Sequence, residues 1–158
     1  MNVNRFFPKF KNLGGCPVET LKIEAKLENW VSVSSFLRCF LEKIHCNDEF
    51  INKFLLPCEE IFVNICCYAY KNCGIISVNV SLLGRKIKIV FEDDGKQFDP
   101  TKFENRNLNS KIERKKIGGL GIFLAKEIMD GFDYIREHNK NILVMVKELE
   151  GDDCGSRS

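Results

Sequence analysis

The stretch IISVNVSLLGRKIKIVFEDDGKQFDP, residues 75–100, constrains the fold more than any other part of the chain. Two strands, 75–83 and 85–92, meet at Gly84, a residue type that hairpin turns favour. Side chains alternate between the two faces of a strand, so the apolar face of such a hairpin needs a second layer to cover it. The second strand then runs into Asp93, Asp94 and Gly95, and shortly afterwards into Phe98-Asp99-Pro100. A plain surface turn needs one acid and a glycine. The surplus acids either face water or hold something.

The covering layer is visible upstream. Trp30, Val33, Phe36, Leu37, Phe40, Leu41 and Ile44 recur at three- and four-residue spacing and predict an amphipathic helix over 28–45. A second helical stretch starts at the capping residues Asn47-Asp48 and continues to about Asn72, with Pro57 either kinking it or opening a new segment. Residues 19–25, ETLKIEA, alternate like a strand. Residues 93–118 are polar and aperiodic, which predicts a functional lid. A helix over 120–129 and a hairpin of 132–137 with 142–149 follow. The expected fold is α+β: a two-layer α/β sandwich, with a mixed sheet of about five strands covered on one face by about three helices. At 158 residues the chain is read as one domain over 19–149, after an irregular lead-in, 1–18, and before a disordered tail, 150–158.

The net charge of +2, from 24 basic and 22 acidic residues, gives no basic surplus and argues against direct nucleic-acid binding. No run approaches the roughly 18 apolar residues of a membrane span, and the first residues lack the apolar core of a signal peptide. The eight cysteines include no paired CxxC spacing and read as reduced structural thiols. Together these predict a cytoplasmic protein without membrane contact.

Three stretches carry chemistry. In CEEIFVNICCYAY, Glu60 and Asn64 are four apart and share a helix face. Two readings of Asn64 are open: an amide bonded to nearby backbone, or an oxygen ligand for Mg2+ with Glu60 as general base one turn earlier. If Phe91 faces the core, so does Asp93, and a carboxylate there needs a donor such as the exocyclic amine of adenine, with Gly95 letting a flat base approach the backbone. The alternative is a turn after a strand. In IGGLGIFLAKEIMD, Gly118, Gly119 and Gly121 precede or open a helix, which makes either an anion site of bare backbone N–H groups or a glycine-rich hinge.

In order and spacing these stretches resemble the ATP-binding family of histidine kinases, Hsp90, gyrase and MutL, whose fold is a two-layer sandwich of the Bergerat type. Glu60-x-x-x-Asn64, Asp93-x-Gly95 and Gly119-Leu120-Gly121 match its three boxes. Within it, Tyr70 closing the Asn64 helix, Phe98-Asp99-Pro100 and the unbroken GGLGIFLAKEIMD look like the anti-sigma factor serine kinases. Tyr68 stands where many relatives have His.

The resemblance implies a serine/threonine kinase using ATP and Mg2+. It gives Asp93 and Gly95 to the adenine, Asn64 to Mg2+, Glu60 to catalysis as the base, and Gly118, Gly119, Leu120 and Gly121 to the phosphates. A lid cation, Arg114 or Lys116, is implied to reach the terminal phosphate. The implied partners are a sigma factor, sequestered, and a small anti-sigma antagonist protein, phosphorylated on serine or threonine. The implied homodimer would pair through the first strand and helix. A nucleotide-dependent binding switch with little turnover, and a detached histidine kinase catalytic domain, are the alternatives. The second would need a phosphoacceptor His in a dimerisation helix, which neither His45 nor His138 matches.

Overall fold

The computed structural model describes residues 17–102, 119–151 and 153, and of residues 119 and 120 the backbone alone. Strand β1 (Glu19–Glu24) leads through a 3-10 turn, Leu27–Asn29, into helices α1 (Trp30–Lys43) and α2 (Asp48–Tyr68). Strands β2 (Ile75–Leu83) and β3 (Lys86–Asp93) form the hairpin, and a second 3-10 turn covers Pro100–Lys102. Helix α3 (Gly119–Ile128) then precedes β4 (Gly131–Glu137) and β5 (Lys140–Glu148). Most of the expected lid, with Gly118, Arg114 and Lys116, lies outside the described residues.

The α+β sandwich with five strands and helices on one face is as expected, but the sheet is not mixed. Its order is β1-β2-β3-β5-β4, and every neighbouring pair is antiparallel. Two helices separate β1 from β2, so the chain returns in the opposite direction. Strands β3 and β4 do run the same way, but β5 is inserted between them.

The core forms where strand alternation meets helical spacing. Ile76, Val78, Val80, Ile87, Ile89, Phe91 and Met145 point from the sheet, wholly buried, against Val33, Leu37 and Leu41 of α1 and Ile51, Phe54 and Phe62 of α2. Each such side chain contributes roughly 1.5–3 kcal/mol by burial. The rings of Trp30 and Phe62, 5.7 Å apart, join the two helices.

Asn47 caps α2, its side-chain oxygen accepting the Phe50 N–H at 2.8 Å. The helix runs through Pro57 as one element, neither restarting nor ending there. Pro57 costs the helix about 3 kcal/mol locally. It is buried beside Phe54, Cys58 and Ile61, whose packing outweighs that cost. The helix stops at Tyr68, short of Asn72, because tertiary bonds capture the next residues. The Ala69 carbonyl accepts the Lys96 N–H at 2.7 Å, and the Tyr70 hydroxyl bonds the Ile75 carbonyl and Asp94. This joins the end of α2 to the end of β3.

The described cysteines, Cys39, Cys46, Cys58, Cys66, Cys67 and Cys73, form no disulfide with one another. Burial pushes the Cys58 thiol far up and the Cys66 thiol to about 11, so neither ionises readily near neutral pH. No described helix is long and apolar enough to cross a membrane.

Candidate functional site

A recess with about 440 Å³ of empty space, open solvent at its mouth included, lies where the C-terminal half of α2, the end of β3, the start of β5 and the start of α3 meet. Ile61, Ile65, Ile122 and Leu143 give it apolar walls, and Phe98 and Tyr68 stand at its exposed side. Asp93 and Asn64 are among the three buried polar side chains that line it, with Asn141, each from a different element. The sequence proposed both as site residues, and the fold brings them to one cavity.

Asp93 continues the buried face of Ile87, Ile89 and Phe91, as strand alternation requires, and is 5% exposed. Its Oδ1 accepts the Gly95 N–H at 2.9 Å and the Asn141 amide at 2.9 Å. Burial raises its pKa above the usual 3.8, and the bonds from Asn141 and Gly95 and the nearby Arg136 charge oppose that rise. The register explains the company: Asp93 pairs with Asn141 of β5, which pairs with Arg136 of β4. The Asn141 carbonyl oxygen accepts from the Tyr134 hydroxyl at 2.7 Å and from Arg136 at 2.9 Å. Arg136 also donates to the Gly95 carbonyl at 2.9 Å.

Gly95 is buried behind this network. A Cβ there would come within 2.5 Å of the Ala69 carbonyl, so only glycine lets the loop lie against the end of α2. That close approach is a second requirement for glycine beside the one the sequence suggested. Phe98-Asp99-Pro100 is also accounted for. Asp99 Oδ1 accepts from the Thr101 N–H (3.0 Å) and hydroxyl (2.6 Å), which fixes the second 3-10 turn. Lys126 of α3 donates to the Thr101 carbonyl at 2.9 Å.

The opposite end of the recess is built on α2 and α3. Asn64 is 9% exposed, and its amide nitrogen is buried with no hydrogen-bond partner among the described residues. The backbone-bonded reading of that nitrogen therefore has no support here. Glu60, one turn earlier, is partly buried and does not line the recess; its carboxylate lies against Gly121, where any Cβ would meet Glu60 Oε2. Gly119, Leu120 and Gly121 form the first turn of α3, where backbone N–H groups lack intrahelical partners. Gly118 lies outside the described residues.

Sequence reading missed Asn141, Tyr134, Arg136 and Lys96. Asn141 sat at the edge of a predicted turn, where an asparagine needs no explanation. The only available signal was its register opposite Asp93, which needs the sheet order.

An adenine nucleotide has a flat apolar base with one amine, joined to a polyanion. The recess offers apolar walls, a buried acceptor and an unpartnered amide, the mix of apolar lining and few polar groups that small-ligand sites use. Among the described residues no three His, Cys, Asp or Glu cluster to bind a metal. A magnesium ion there would rely on the Asn64 carbonyl oxygen and the phosphates of its ligand, a donor set that suits it.

The model of the histidine kinase-like ATPase domain matches residues 23–147. A curated relative, serine-protein kinase RsbW of Staphylococcus aureus (strain MSSA476), is 36% identical over 91 residues, covering 53% of this chain and 57% of that protein. The RsbW serine-protein kinase of Halalkalibacterium halodurans is 28% identical over 111 residues, 68% of each chain. The chain thus spans little more than half the length of the Staphylococcus relative. Among solved structures, the RsbU and RsbW domains of Rv1364c from Mycobacterium tuberculosis superpose with a TM-score of 0.61 at 15% identity, over 84% of this chain and 32% of that one. That last likeness concerns the fold alone.

Proposed function

This chain belongs to the histidine kinase-like ATPase domain family, and from that premise we propose that it is an ATP-dependent serine/threonine protein kinase. Its substrate is a small anti-sigma antagonist protein, and its second partner is a sigma factor that it sequesters. One observation carries the nucleotide reading: a buried acceptor, Asp93, and an unpartnered buried amide, Asn64, line a single apolar recess. The names of the curated relatives support the transfer to serine.

In this reading Asp93 accepts the exocyclic amine of adenine, with Ile65 and Leu143 among the apolar walls for the base. Asn64 holds magnesium through its carbonyl oxygen. Magnesium, when bound, neutralises phosphate charge that would repel an incoming oxygen. The α3 N-terminus, Gly119 to Gly121, presents N–H groups to the phosphates. Glu60 takes the proton from the substrate hydroxyl as its oxygen forms the new bond to the terminal phosphorus; the bond to the bridging oxygen breaks, and ADP leaves. Its position against Gly121 keeps the carboxylate beside that phosphate-binding turn.

The test is incubation of the chain with labelled ATP, Mg2+ and candidate antagonist proteins. The expected product is an acid-stable phosphoester on serine or threonine. An acid-labile phosphohistidine product would favour a detached histidine kinase domain. His45 lies just beyond α1 with a φ of 65°, and His138 sits in the last turn with a φ of 48°, so neither is on a helix suited to that role. ATP binding that alters partner affinity without any transfer would identify a nucleotide-dependent switch.

A further inference from the structure

Asn141 lines the recess and has no hydrogen-bonding capacity left for a ligand. An amide side chain has two N–H donors and a carbonyl with two lone pairs. Here the nitrogen donates to Asp93 Oδ1 at 2.9 Å and to the Lys96 carbonyl at 3.0 Å, with a longer contact of 3.5 Å to the Gly95 carbonyl. The oxygen accepts from Tyr134 and Arg136. Asp93, by contrast, is half committed. Its Oδ1 receives Gly95 and Asn141, and no described residue donates to Oδ2.

We propose that Asn141 is the positioning residue for base selection: by clamping Asp93 at Oδ1 it presents Oδ2 as a fixed, ionised acceptor for a 6-amino purine. This rests on reading the recess as a nucleotide site. The chemistry follows from what a carboxyl can do. Ionised, it accepts only, and so favours a 6-amino base; protonated, it donates, and so tolerates a 6-oxo base. A buried aspartate is pushed toward the protonated form, and the Asn141 donor pushes back.

The other charged or titratable groups around Asp93 come from each neighbouring element. Asp94 follows it in the chain, Lys96 lies in the next loop, Tyr70 lies at the end of α2, and Tyr134 and Arg136 lie on β4. Arg136 supports the clamp twice, through Asn141 and through the Gly95 carbonyl.

Two variants of the full chain test this. Asn141→Leu removes the donors at similar size. Asn141→Asp keeps an acceptor for Tyr134 and Arg136 but sets a second carboxylate against Asp93, and it serves if the leucine variant fails to fold. The first readout is the carboxyl carbon NMR titration of Asp93 without nucleotide. The second is calorimetric affinity for ATP and for inosine triphosphate, which has oxygen in place of the amine, from acid to neutral pH.

In either variant Asp93 should titrate at higher pH, and the acid limb of ATP binding should move up with it. In Asn141→Leu, ATP affinity at neutral pH should fall about tenfold or more, while inosine triphosphate changes less and the preference narrows. A purely structural asparagine would weaken both nucleotides alike and leave the Asp93 titration in place. A folded variant with the wild-type titration and the wild-type preference overturns the role of Asn141 alone. A wild type that does not distinguish the two nucleotides overturns the adenine reading, and the selection role with it.

Discussion

The two ends of the recess are built in opposite ways. At the Asp93 end, polar groups from β3, β4, β5 and the following loop bond one another, and Asn141 is saturated. At the Asn64 end, a buried amide nitrogen has no partner among the described residues, and a glutamate rests against a glycine. The first end holds its geometry by itself. The second carries the cost of a buried unpaired polar group, about 1–3 kcal/mol. If the recess holds a nucleotide as proposed, base recognition is set in advance and the phosphate end gains stability from the ligand, so nucleotide binding should raise the melting temperature mainly through α2 and α3.

The contrast is sharpened most by Glu60→Gln. This change keeps shape and removes a proton acceptor, so phosphate transfer in single-turnover assays should fall about 100- to 10,000-fold while ATP affinity hardly moves. Equal transfer rates in mutant and wild type would remove Glu60 from the chemistry. Next in size is Asp93→Asn, which should weaken ATP binding roughly tenfold to over a hundredfold by calorimetry.

Asp93→Asn should also change stability, and the sign follows from linkage. Burial raises the Asp93 pKa in the folded chain. The folded state therefore keeps a proton that the unfolded state has lost above about 3.8, and stability falls as pH rises through the Asp93 titration. Denaturant midpoints across the acid range should show this loss in wild type and a flatter profile in Asp93→Asn. A steeper profile in the variant would contradict the burial argument.

Asn64→Leu should act on the other end in a different direction. It should abolish the magnesium-dependent part of ATP binding, yet stabilise the ligand-free chain by about 1 kcal/mol or more, because an unpaired buried amide is replaced by a hydrocarbon. A loss of ligand-free stability would show that the amide is already bonded, and the difference between the two ends would collapse. The smallest effect is expected from Tyr70→Phe. It removes the hydroxyl that bonds Asp94 and the Ile75 carbonyl, outside the recess. A stability loss of about 0.5–1.5 kcal/mol with an unchanged preference for ATP over inosine triphosphate is the expected result.

The same contrast marks what could be read from the sequence. Glu60, Asn64, Asp93 and the Gly119–Gly121 turn sit in short local patterns, and local patterns survive without a fold. The position of Asp93 followed from the parity of a single strand. Asn141, Tyr134 and Arg136 reach Asp93 from a hairpin 48 residues or fewer downstream, and their meeting depends on β5 being inserted between β3 and β4. No local pattern encodes that insertion, which is also why the sheet was expected to be mixed. The end of α2 was misplaced for a related reason: Ala69 and Tyr70 are claimed by partners beyond β2.

The bond from the Lys96 N–H to the Ala69 carbonyl, with Gly95 pressed against the same residue, makes a calliper of the recess. One jaw carries Asp93 and the other Asn64, and the pin that sets their spacing is main chain, beyond the reach of rotamer changes. Adenosine would engage one jaw and inorganic phosphate the other, each at the full entropic cost of immobilising a separate molecule. A single ligand spanning both jaws meets that cost once, so its affinity should exceed the product of the two parts, and the excess would measure how rigid the pin is.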